Sequence, residues 1–394
     1  MRTAAEIKMN QHDRLAFSLG EYRRRYDLVA KGMERAGIDV LLIRTPENIC
    51  YLTGYETPGY YAYHCLIVAA DQDPVLVVRK LEQMNVREFA WLDQSVTIED
   101  DEVPWEVTIR TLKARGLANK TIGVEETAFF SPIAEYKALL EALPEARIVD
   151  GSGVVEAARV VKSDEEIALM RRTAKILDSG MQAAIDATEV GRTEDEIAAV
   201  VHKVLVEQGS EYWSLPHFVC SGERASVTHA TWRGRRLKKG DVGYYELSAV
   251  KHRYNTALLL TVADGDPGTK VRAMADASLA ALEAAKRAIR PGATCDEVYW
   301  ACHNAIVERG LGEHHPHRAG YSIGISFPPD WGEGQILSLK KKEMRRLEPN
   351  MTFHIIPAIQ IYREVGVCFS DTVRVTETGC EAFSQLQPRR FIIK

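Results

Sequence analysis

The amino-acid sequence predicts an α+β protein with two domains, an N-terminal α/β domain and a C-terminal domain that is internally pseudo-symmetric. Three observations lead to this fold class. At 394 residues, the chain is long enough to build two substantial hydrophobic cores. Short apolar runs alternate with helical patterns over residues 1–158, which we take as the first domain. A helix–helix–strand pattern then occurs twice within residues 159–394, the second domain.

The first domain begins with an expected extension over residues 1 to about 20. A charged helical pattern follows from Glu21 to Gly37, and glycine commonly ends a helix. A further helix is predicted at 133–143. Strands are predicted where short apolar runs lie between turn signals, at 38–43, 65–70, 74–78 and 121–124.

The same sequence signal for the start of a helix, a capping box, recurs in the second domain. Ser163 opens a predicted helix at 164–187 through a capping box. Capping boxes also open the stretches Thr193–Gly209 and Thr294–Gly310, which both end at glycine after the same number of residues. Each stretch follows a longer helix and precedes a predicted strand, at 242–250 and 351–361. The repeat predicts two equivalent halves whose helices cover one face of a shared antiparallel sheet.

Composition and charge narrow the range of partners. The formal net charge of -5 disfavours broad nucleic-acid binding, and we interpret the basic run at 233–239 as a solvated turn. No apolar stretch reaches the length of a membrane span, and the first residues lack the apolar core of a signal peptide. Seven cysteines without a CxxC pair are typical of a reducing compartment. We therefore expect a cytoplasmic protein without a nucleic-acid or membrane partner.

Glu246 is the acidic residue with the clearest indication of chemistry. It lies in the apolar strand pattern 243–250, and a buried carboxyl has a raised pKa unless a cation or several hydrogen-bond donors are near. Such a group is a catalytic candidate, and a structural ion pair is the alternative.

The histidines support two interpretations. His229 lies in a segment without helical periodicity and is either structural or catalytic. The cluster of His314, His315 and His317 suggests a metal site, but no acidic or cysteine partners at ligand spacing accompany it. We favour a solvated loop for that cluster.

The stretch 318–333 reads RAGYSIGISFPPDWGE. Alternating small and apolar residues predict a strand, which the pair Pro328-Pro329 must end. Glycines within a strand indicate that another part of the chain approaches closely. This stretch is therefore predicted to be packed against something.

The segment 51–64 is unusually aromatic and includes Tyr60, Tyr61 and Tyr63. Tyrosine offers a large contact area together with a hydroxyl group. The segment is therefore either a surface loop or the rim of a binding site.

Taken together, these features resemble the pita-bread fold of methionine aminopeptidase, prolidase and creatinase. The segment 51–55, YLTGY, is similar to a motif of the family's N-terminal domain, and 159–167, RVVKSDEEI, is similar to its interdomain linker. Residues 366–379 resemble the closing strand and turn. The resemblance implies an N-terminal creatinase-type α/β domain, a C-terminal pita-bread domain and a homodimer.

The resemblance also bears on metal binding. Metallopeptidases of this fold hold two metal ions with two Asp, one His and two Glu residues. Pro328 stands where they have a second, catalytic His. At the five ligand positions this sequence has Glu246, Ala257, Tyr321, Ile356 and Ser370. One carboxylate and one phenol cannot complete a shell for a divalent ion, so we expect no metal and no other cofactor.

The sequence resembles the metal-free branch of the family, which includes creatinase and ectoine hydrolase. Creatinase uses two glutamates at positions that here hold Leu259 and Ile356. The ectoine hydrolase pattern is closer, through GYxIGISxPPDWGE at 320–333 and EPxMTFHxxP at 348–357. This resemblance implies a metal-independent hydrolase that opens a non-peptide C–N bond in a small amidine or amide, with ectoine as the leading substrate.

The resemblance implies roles for particular residues. Glu246 attacks the substrate carbon or orients the attacking water, and His229 protonates the departing nitrogen. Arg318 pairs with a substrate carboxylate or is structural. The remaining expected substrate-binding residues donate hydrogen bonds or form pocket walls: Tyr321, His354, Phe327, Trp331, Tyr60, Tyr61 and Tyr63. The alternatives are a creatinase-like amidinohydrolase, an inactive binding module and, least favoured, an Xaa-Pro peptidase.

Overall fold

The structure, a computed structural model, describes residues 7–11, 13–92, 94–386 and 390–394. These residues form two compact units, the first ending at Arg159 and the second beginning at Val160. Both units combine helices with strands, so the mixed fold class predicted from the sequence is confirmed. No helix within the described ranges has the length and apolar character that crossing a membrane requires.

The first unit is built on a six-stranded sheet. Its strands are β1 (Val40–Ile43), β2 (His64–Ala69), β3 (Val75–Arg79), β4 (Ser95–Ile98), β5 (Thr121–Val124) and β6 (Arg147–Asp150). Its helices are α1 (Leu19–Ala36), α2 (Pro46–Thr53), α3 (Gln83–Phe89), α4 (Pro104–Ala114), α5 (Ile133–Ala142) and α6 (Val154–Arg159). The strand order is β4-β3-β2-β1-β5-β6, with β1 parallel to β5 and antiparallel to β2. Apolar residues of the central strands pack with those of α4 and α5 to form the core.

Helix α1 begins slightly before the predicted start. The Ser18 hydroxyl accepts a hydrogen bond from the backbone N–H of Glu21 at 3.1 Å and so caps the helix. Gly37 ends it in a left-handed conformation, with φ of 66°, that glycine adopts without strain. Of the expected N-terminal extension, residues 1–6 and 12 lie outside the described residues.

The second unit places four helices beside several short sheets. The helices are α7 (Asp164–Ala187), α8 (Glu194–Glu207), α9 (Gly268–Ala288) and α10 (Cys295–Val307). The strands are β7 (Phe218–Ser221), β8 (Val242–Lys251), β9 (Tyr254–Ala263), β10 (Gly320–Ser322), β11 (Ser338–Leu339), β12 (Thr352–Ile355), β13 (Ile359–Ile361), β14 (Val365–Val367), β15 (Asp371–Val375), β16 (Cys380–Ala382) and β17 (Ile392–Ile393). They pair in the orders β17-β9-β8-β7, β11-β10-β12-β15-β16 and β13-β14.

The predicted duplication is visible in equivalent tertiary contacts. Thr193 and Thr294 cap α8 and α10 with the same backbone angles, φ of -87° and ψ of 155°, and both take part in complete capping boxes. An isolated β-bridge joins Thr193 to Arg236, and another joins Thr294 to Arg346. Each arginine donates a hydrogen bond to the turn before its helix, at 2.8 and 2.6 Å. The two halves therefore repeat contacts as well as sequence signals.

The predicted single shared sheet differs from the structure, because β9 and β15 belong to different ladders. Where they meet, hydroxyl groups take the place of backbone carbonyls. The backbone N–H of Leu259 donates to Ser370 Oγ at 2.6 Å, and that of Ala257 donates to Thr372 Oγ1 at 3.1 Å. These side chains join the two sheets together with one backbone hydrogen bond, from the N–H of Ser370 to the carbonyl of Leu259 at 2.9 Å.

The strand predicted before Pro328 in the stretch 318–333 and the strand predicted at 351–361 are both shorter in the structure. Of the first, β10 covers three residues, and the chain then folds back so that Ile323 bridges Gly332. The second divides into β12 and β13 around Pro357, which has no N–H to donate to a ladder.

A buried ion pair fixes the end of the segment 318–333. Lys162 Nζ donates to Glu333 Oε2 at 2.7 Å, and each side chain is 1% exposed. The Ser322 hydroxyl donates to the same oxygen at 3.3 Å. Gly324 leaves room for the pair, because a Cβ atom there would lie 2.8 Å from the Lys162 side chain. This glycine therefore marks the close approach that the sequence indicated.

Replacing Lys162 with methionine is expected to lower the free energy of unfolding by about 3–5 kcal/mol, because Glu333 would remain buried without its cation. The matched control is Lys203→Met, whose lysine is 71% exposed and paired with Glu207 on the surface of α8. That change should cost less than about 1 kcal/mol. Urea unfolding of both variants measures the difference, and equal losses would contradict a structural role for the buried pair.

Candidate active site

The second unit contains a cavity of about 430 Å³, a volume that suits a small molecule. Strands β7 and β8 form one part of its wall, and the segment around β10 forms another. The lining comprises Leu215, Phe218, Cys220, residues 227–230, Tyr244, Glu246, residues 316–318, Tyr321, residues 329–331, Ile356, Ala358 and Gln360. Of the predicted residues, Glu246, His229, Arg318, Tyr321 and Trp331 are thus brought together around one space.

Glu246 is held in the centre of its sheet. It pairs with Leu259 of β9 on one side and with Phe218 of β7 on the other. The residue is only 6% exposed, and no described residue donates a hydrogen bond to its carboxyl group. Burial, and to a smaller degree the charge of Asp330, raises the pKa of Glu246 to about 8. The carboxyl group is therefore poised to exchange a proton near neutral pH.

Asp330 is a second carboxyl in the cavity, and sequence reasoning missed it. Its side chain accepts a hydrogen bond from the backbone N–H of Gly332 at 3.0 Å. Burial raises its pKa above the ordinary value of 3.8. Two carboxyl groups in one small cavity favour a cationic ligand. The sequence feature that could have identified Asp330 is its place in the PPDWGE motif, directly before Trp331.

Tyr321 lies at the front of a buried chain of hydrogen bonds. Trp331 Nε1 donates to its hydroxyl oxygen at 2.8 Å, and His354 Nδ1 lies 2.9 Å from that oxygen. On the other side of the imidazole ring, His354 Nε2 lies 2.7 Å from Ser370 Oγ. Gly332 lets the Trp331 turn approach, because a Cβ atom there would lie 2.6 Å from the Tyr321 ring.

His354 differs from its expected position. It was expected to contact the substrate, but it is fully buried behind Tyr321 and is not among the residues that line the cavity. The cause is the strand register, which pairs Tyr321 of β10 directly with His354 of β12. Burial lowers the pKa of His354 to about 3, so the imidazole is neutral.

Arg318 is half-buried at the cavity wall. Its Nη1 donates to Ser338 Oγ at 2.9 Å, and its guanidinium carbon lies 4.6 Å from the centre of the Tyr321 ring. The Nε atom is buried without a hydrogen-bond partner among the described residues. Arg318 is thus anchored on one side by Ser338, and its guanidinium group lines the cavity.

His229 lies in the loop 227–230 with a φ of 59°, a left-handed conformation that non-glycine residues seldom adopt. Its ring stacks on that of Phe218 at 5.1 Å with an interplanar angle of 30°. The ring of Phe218 in turn lies 5.5 Å from that of Trp331. Stacking and an unusual backbone angle therefore hold the imidazole at the cavity, which is typical of functional positions.

His317, which we had interpreted as part of a solvated loop, lines the cavity beside Arg318. Its Nδ1 lies 2.8 Å from the Arg318 carbonyl oxygen. His315 instead lies 3.0 Å from His303, measured between their Nδ1 atoms. The histidine cluster is therefore divided between two places.

The predicted aromatic walls are only partly present. Phe327 is buried, with the Arg253 guanidinium 5.0 Å from its ring centre, and does not line the cavity. The three tyrosines belong to the first unit. There Tyr63 donates to Glu135 at 3.1 Å, Tyr60 packs edge-on against Tyr61, and Tyr61 is 76% exposed.

The structure thus has two units, with a cavity of small-molecule size in the second. The model of metallopeptidase family M24 matches residues 168–377, and that of the creatinase/prolidase N-terminal domain matches residues 25–161. The chain belongs to the M24 family of hydrolases, and its fold is the predicted creatinase-type domain followed by a pita-bread domain.

The proteins that this chain resembles over nearly its full length are named for different activities. The ectoine hydrolase of Halomonas elongata is 28% identical over 96% of this chain and 99% of that protein. The uncharacterized hydrolase/peptidase y4tL of Sinorhizobium fredii is 32% identical over 96% of this chain and 97% of that protein. Among solved structures, the dipeptidase PepE of Mycobacterium ulcerans has a TM-score of 0.83 at 24% identity and covers 96% of this chain and 99% of its own.

The donors at this cavity do not fit the metal ions of a metallopeptidase. Two carboxyl groups, Glu246 and Asp330, line it, and two of the positions that the family resemblance assigns to metal ligands hold Ala257 and Ile356, whose side chains have no ligand atom. Within the described residues, no group of three His, Cys, Asp or Glu side chains with ligand atoms within 4.8 Å of one another includes a cavity residue. The described side chains at this cavity therefore do not form a complete ligand set for a divalent ion.

Replacing Glu246 with glutamine is expected to stabilise the protein increasingly as the pH rises. The folded state keeps the Glu246 proton up to a pH of about 8, whereas the ordinary pKa is 4.5, so the wild-type carboxyl costs stability as the pH rises between these values. The gain should be on the order of a few kcal/mol at pH 9 and close to zero at pH 4.

This effect is measured by melting temperatures at pH 5 and pH 9. The proteins compared are the wild type, Glu246→Gln and the exposed control Glu223→Gln. A Glu246→Gln difference that does not grow with pH would show that the folded protein carries this carboxyl ionised.

Proposed function

We propose that this protein is a metal-independent hydrolase that opens a non-peptide carbon–nitrogen bond in a small amidine or amide. The leading substrate is ectoine, whose ring opening gives an N-acetyl-diaminobutyrate. The observation that carries the proposal is Glu246, a buried carboxyl without a hydrogen-bond donor among the described residues, in a cavity of small-molecule size. The full-length similarity to an ectoine hydrolase supports the choice of substrate.

The charges of the cavity suit a zwitterionic substrate. Glu246 and Asp330 attract a cationic amidinium group, and the guanidinium group of Arg318 at the cavity wall suits a carboxylate. A bound amidinium also favours the ionised form of Glu246, because an opposite charge nearby lowers the pKa of a carboxyl group. The substrate itself thereby generates the carboxylate that the reaction needs.

The carboxylate of Glu246 serves the reaction in one of two ways. It attacks the amidine carbon and forms a C–O bond, and water later cleaves the resulting ester-type intermediate. Alternatively, it accepts a proton from a water molecule that attacks the same carbon. In both routes the C–N bond breaks, and His229 supplies the proton that the departing nitrogen takes up.

We further propose that the protein acts in the cytoplasm as a homodimer. The aromatic segment with Tyr60, Tyr61 and Tyr63 would then contribute to the rim of the pocket of a partner copy. The exposure of Tyr61 leaves an aromatic surface for such a contact.

Other activities of the family are less consistent with this site. The glutamates that the creatinase resemblance requires are Leu259 and Ile356 here. A dipeptidase would need the metal ligands that the chain lacks. An inactive binding module would not need a cavity lined by two carboxyl groups.

Chelator-treated wild-type protein is expected to open the ectoine ring, as followed by proton NMR of the substrate. Glu246→Gln and His229→Gln should each lower kcat by at least about 10³-fold, because each removes a group that takes part in the chemical step. The exposed variant Glu223→Gln serves as the folded control with wild-type activity.

Creatine, an Xaa-Pro dipeptide and ectoine are offered in parallel, with and without added Mn²⁺. Activity that appears only with the metal, or only on the dipeptide, would refute the proposal. Wild-type rates in either site variant would remove that residue from the mechanism.

Arg318→Gln is expected to raise KM for ectoine by at least about tenfold, since a charge-assisted hydrogen bond to the substrate carboxylate is lost. The KM of a cyclic amidine without the carboxylate should change by less than about twofold in the same variant. Equal effects on both substrates would show that Arg318 acts through the structure of the wall, as its contact with Ser338 allows.

A further inference from the structure

The hydrogen bonds behind Tyr321 constrain where its hydroxyl proton points. Neutral imidazole carries one ring proton, so one nitrogen of His354 donates and the other accepts. Ser370 Oγ already accepts a hydrogen bond from the backbone N–H of Leu259 at 2.6 Å. Tyr321 already accepts one from Trp331 at 2.8 Å. Two arrangements of protons are consistent with these fixed donors.

In the first arrangement, His354 Nε2–H donates to Ser370, and Tyr321 donates to His354 Nδ1. Ser370 then accepts two hydrogen bonds, and its own proton has no acceptor among the described residues. Because Ser370 is fully buried, this proton would be left without a partner and without water. An unsatisfied buried donor of this kind costs about 1–3 kcal/mol.

In the second arrangement, Ser370 donates to His354 Nε2, and His354 Nδ1–H donates to Tyr321. The protons of Ser370, His354 and Trp331 then all have acceptors within this hydrogen-bond chain. The Tyr321 oxygen accepts two hydrogen bonds, from His354 and Trp331, and its own proton remains for the cavity that Tyr321 lines. The two arrangements therefore differ in which proton is left over: that of Ser370, which does not line the cavity, or that of Tyr321, which does and can meet a ligand there.

We infer that Tyr321 is a preset hydrogen-bond donor to the substrate, and that Ser370 and His354 direct its proton into the cavity. Ser370 and His354 are positioning residues, since neither lines the cavity. Two donors to the phenol oxygen strengthen the hydrogen bond that the phenol itself donates. The sequence position that holds a metal-ligating His in related peptidases thus provides a neutral donor here.

The role of this donor rests on the proposed function. When Glu246 or water adds to the amidine carbon, electron density shifts to the heteroatoms on that carbon. The nitrogen of an amidinium has no free lone pair, but after the addition it does, and a fixed O–H donor stabilises that lone pair as it forms without reorganisation. The proton is shared and not transferred, because burial raises the pKa of Tyr321 well above its usual range.

The tautomer of His354 can be measured without any substrate. In protein labelled with ¹⁵N-histidine, the His354 signals are those that are absent in His354→Gln and shifted in Tyr321→Phe. We expect the ring proton on Nδ1 in the wild type and a weaker preference for Nδ1 in Ser370→Ala, which removes the donor to Nε2. A wild-type ring proton on Nε2 would overturn the inference, whether or not ectoine is a substrate.

Kinetics test the consequence for the reaction. Tyr321→Phe should lower kcat by about 10²–10³-fold and change KM by less than about threefold. Ser370→Ala should lower kcat by about tenfold, and the double variant should be no slower than Tyr321→Phe alone, because both changes act through one proton. The control Tyr245→Phe, which removes a buried hydroxyl bonded to Thr188, should keep the wild-type kcat.

If the loss of kcat in the double variant equals the product of the two single losses, Ser370 acts independently of Tyr321. That result would contradict the inference. Absence of turnover in the wild type would instead refute the proposed substrate, and the NMR result would still decide where the Tyr321 proton points.

Discussion

The buried ion pair between Lys162 and Glu333 determines where one wall of the cavity lies. The pair joins the chain just before α7 to the end of the segment 318–333, at a site that water does not reach. That segment carries Arg318, Tyr321 and Asp330, so one pairing positions a cation, a hydroxyl and an anion together. An ion pair in the interior contributes little net stability compared with apolar packing, but it tolerates few alternative arrangements of the chain. It therefore determines the geometry of the site more than it determines its stability.

Local features of the fold could be predicted because neighbouring residues determine them. The capping boxes at Ser163, Thr193 and Thr294 are formed as predicted, since each needs only a side chain and a backbone three residues away. The division of the predicted sheet could not be predicted. It depends on the hydroxyl groups of Ser370 and Thr372, which reach a strand more than a hundred residues earlier in the chain.

The candidate site, like the fold, could be predicted from the sequence only where local patterns determine it. Glu246 could be recognised because a carboxyl group in an apolar strand pattern is unusual. Asp330 follows the proline pair in a turn, where no periodicity marks a buried side chain. The place of His354 behind Tyr321 follows from strand register, which a single sequence leaves undetermined. The roles of the three tyrosines in the first unit depend on contacts beyond that unit and remain proposals.

The raised pKa of Glu246 has a consequence for how the protein recognises a ligand. Below about pH 8 the empty site holds a neutral acid, so it presents less negative charge than its two carboxyl groups suggest. A cation that enters must release the Glu246 proton to form a salt bridge, and a neutral molecule of the same shape need not. Binding of a cationic ligand is then coupled to release of the Glu246 proton. The apparent affinity for a cation therefore decreases as the pH is lowered. The cavity thus discriminates by charge before any bond is broken.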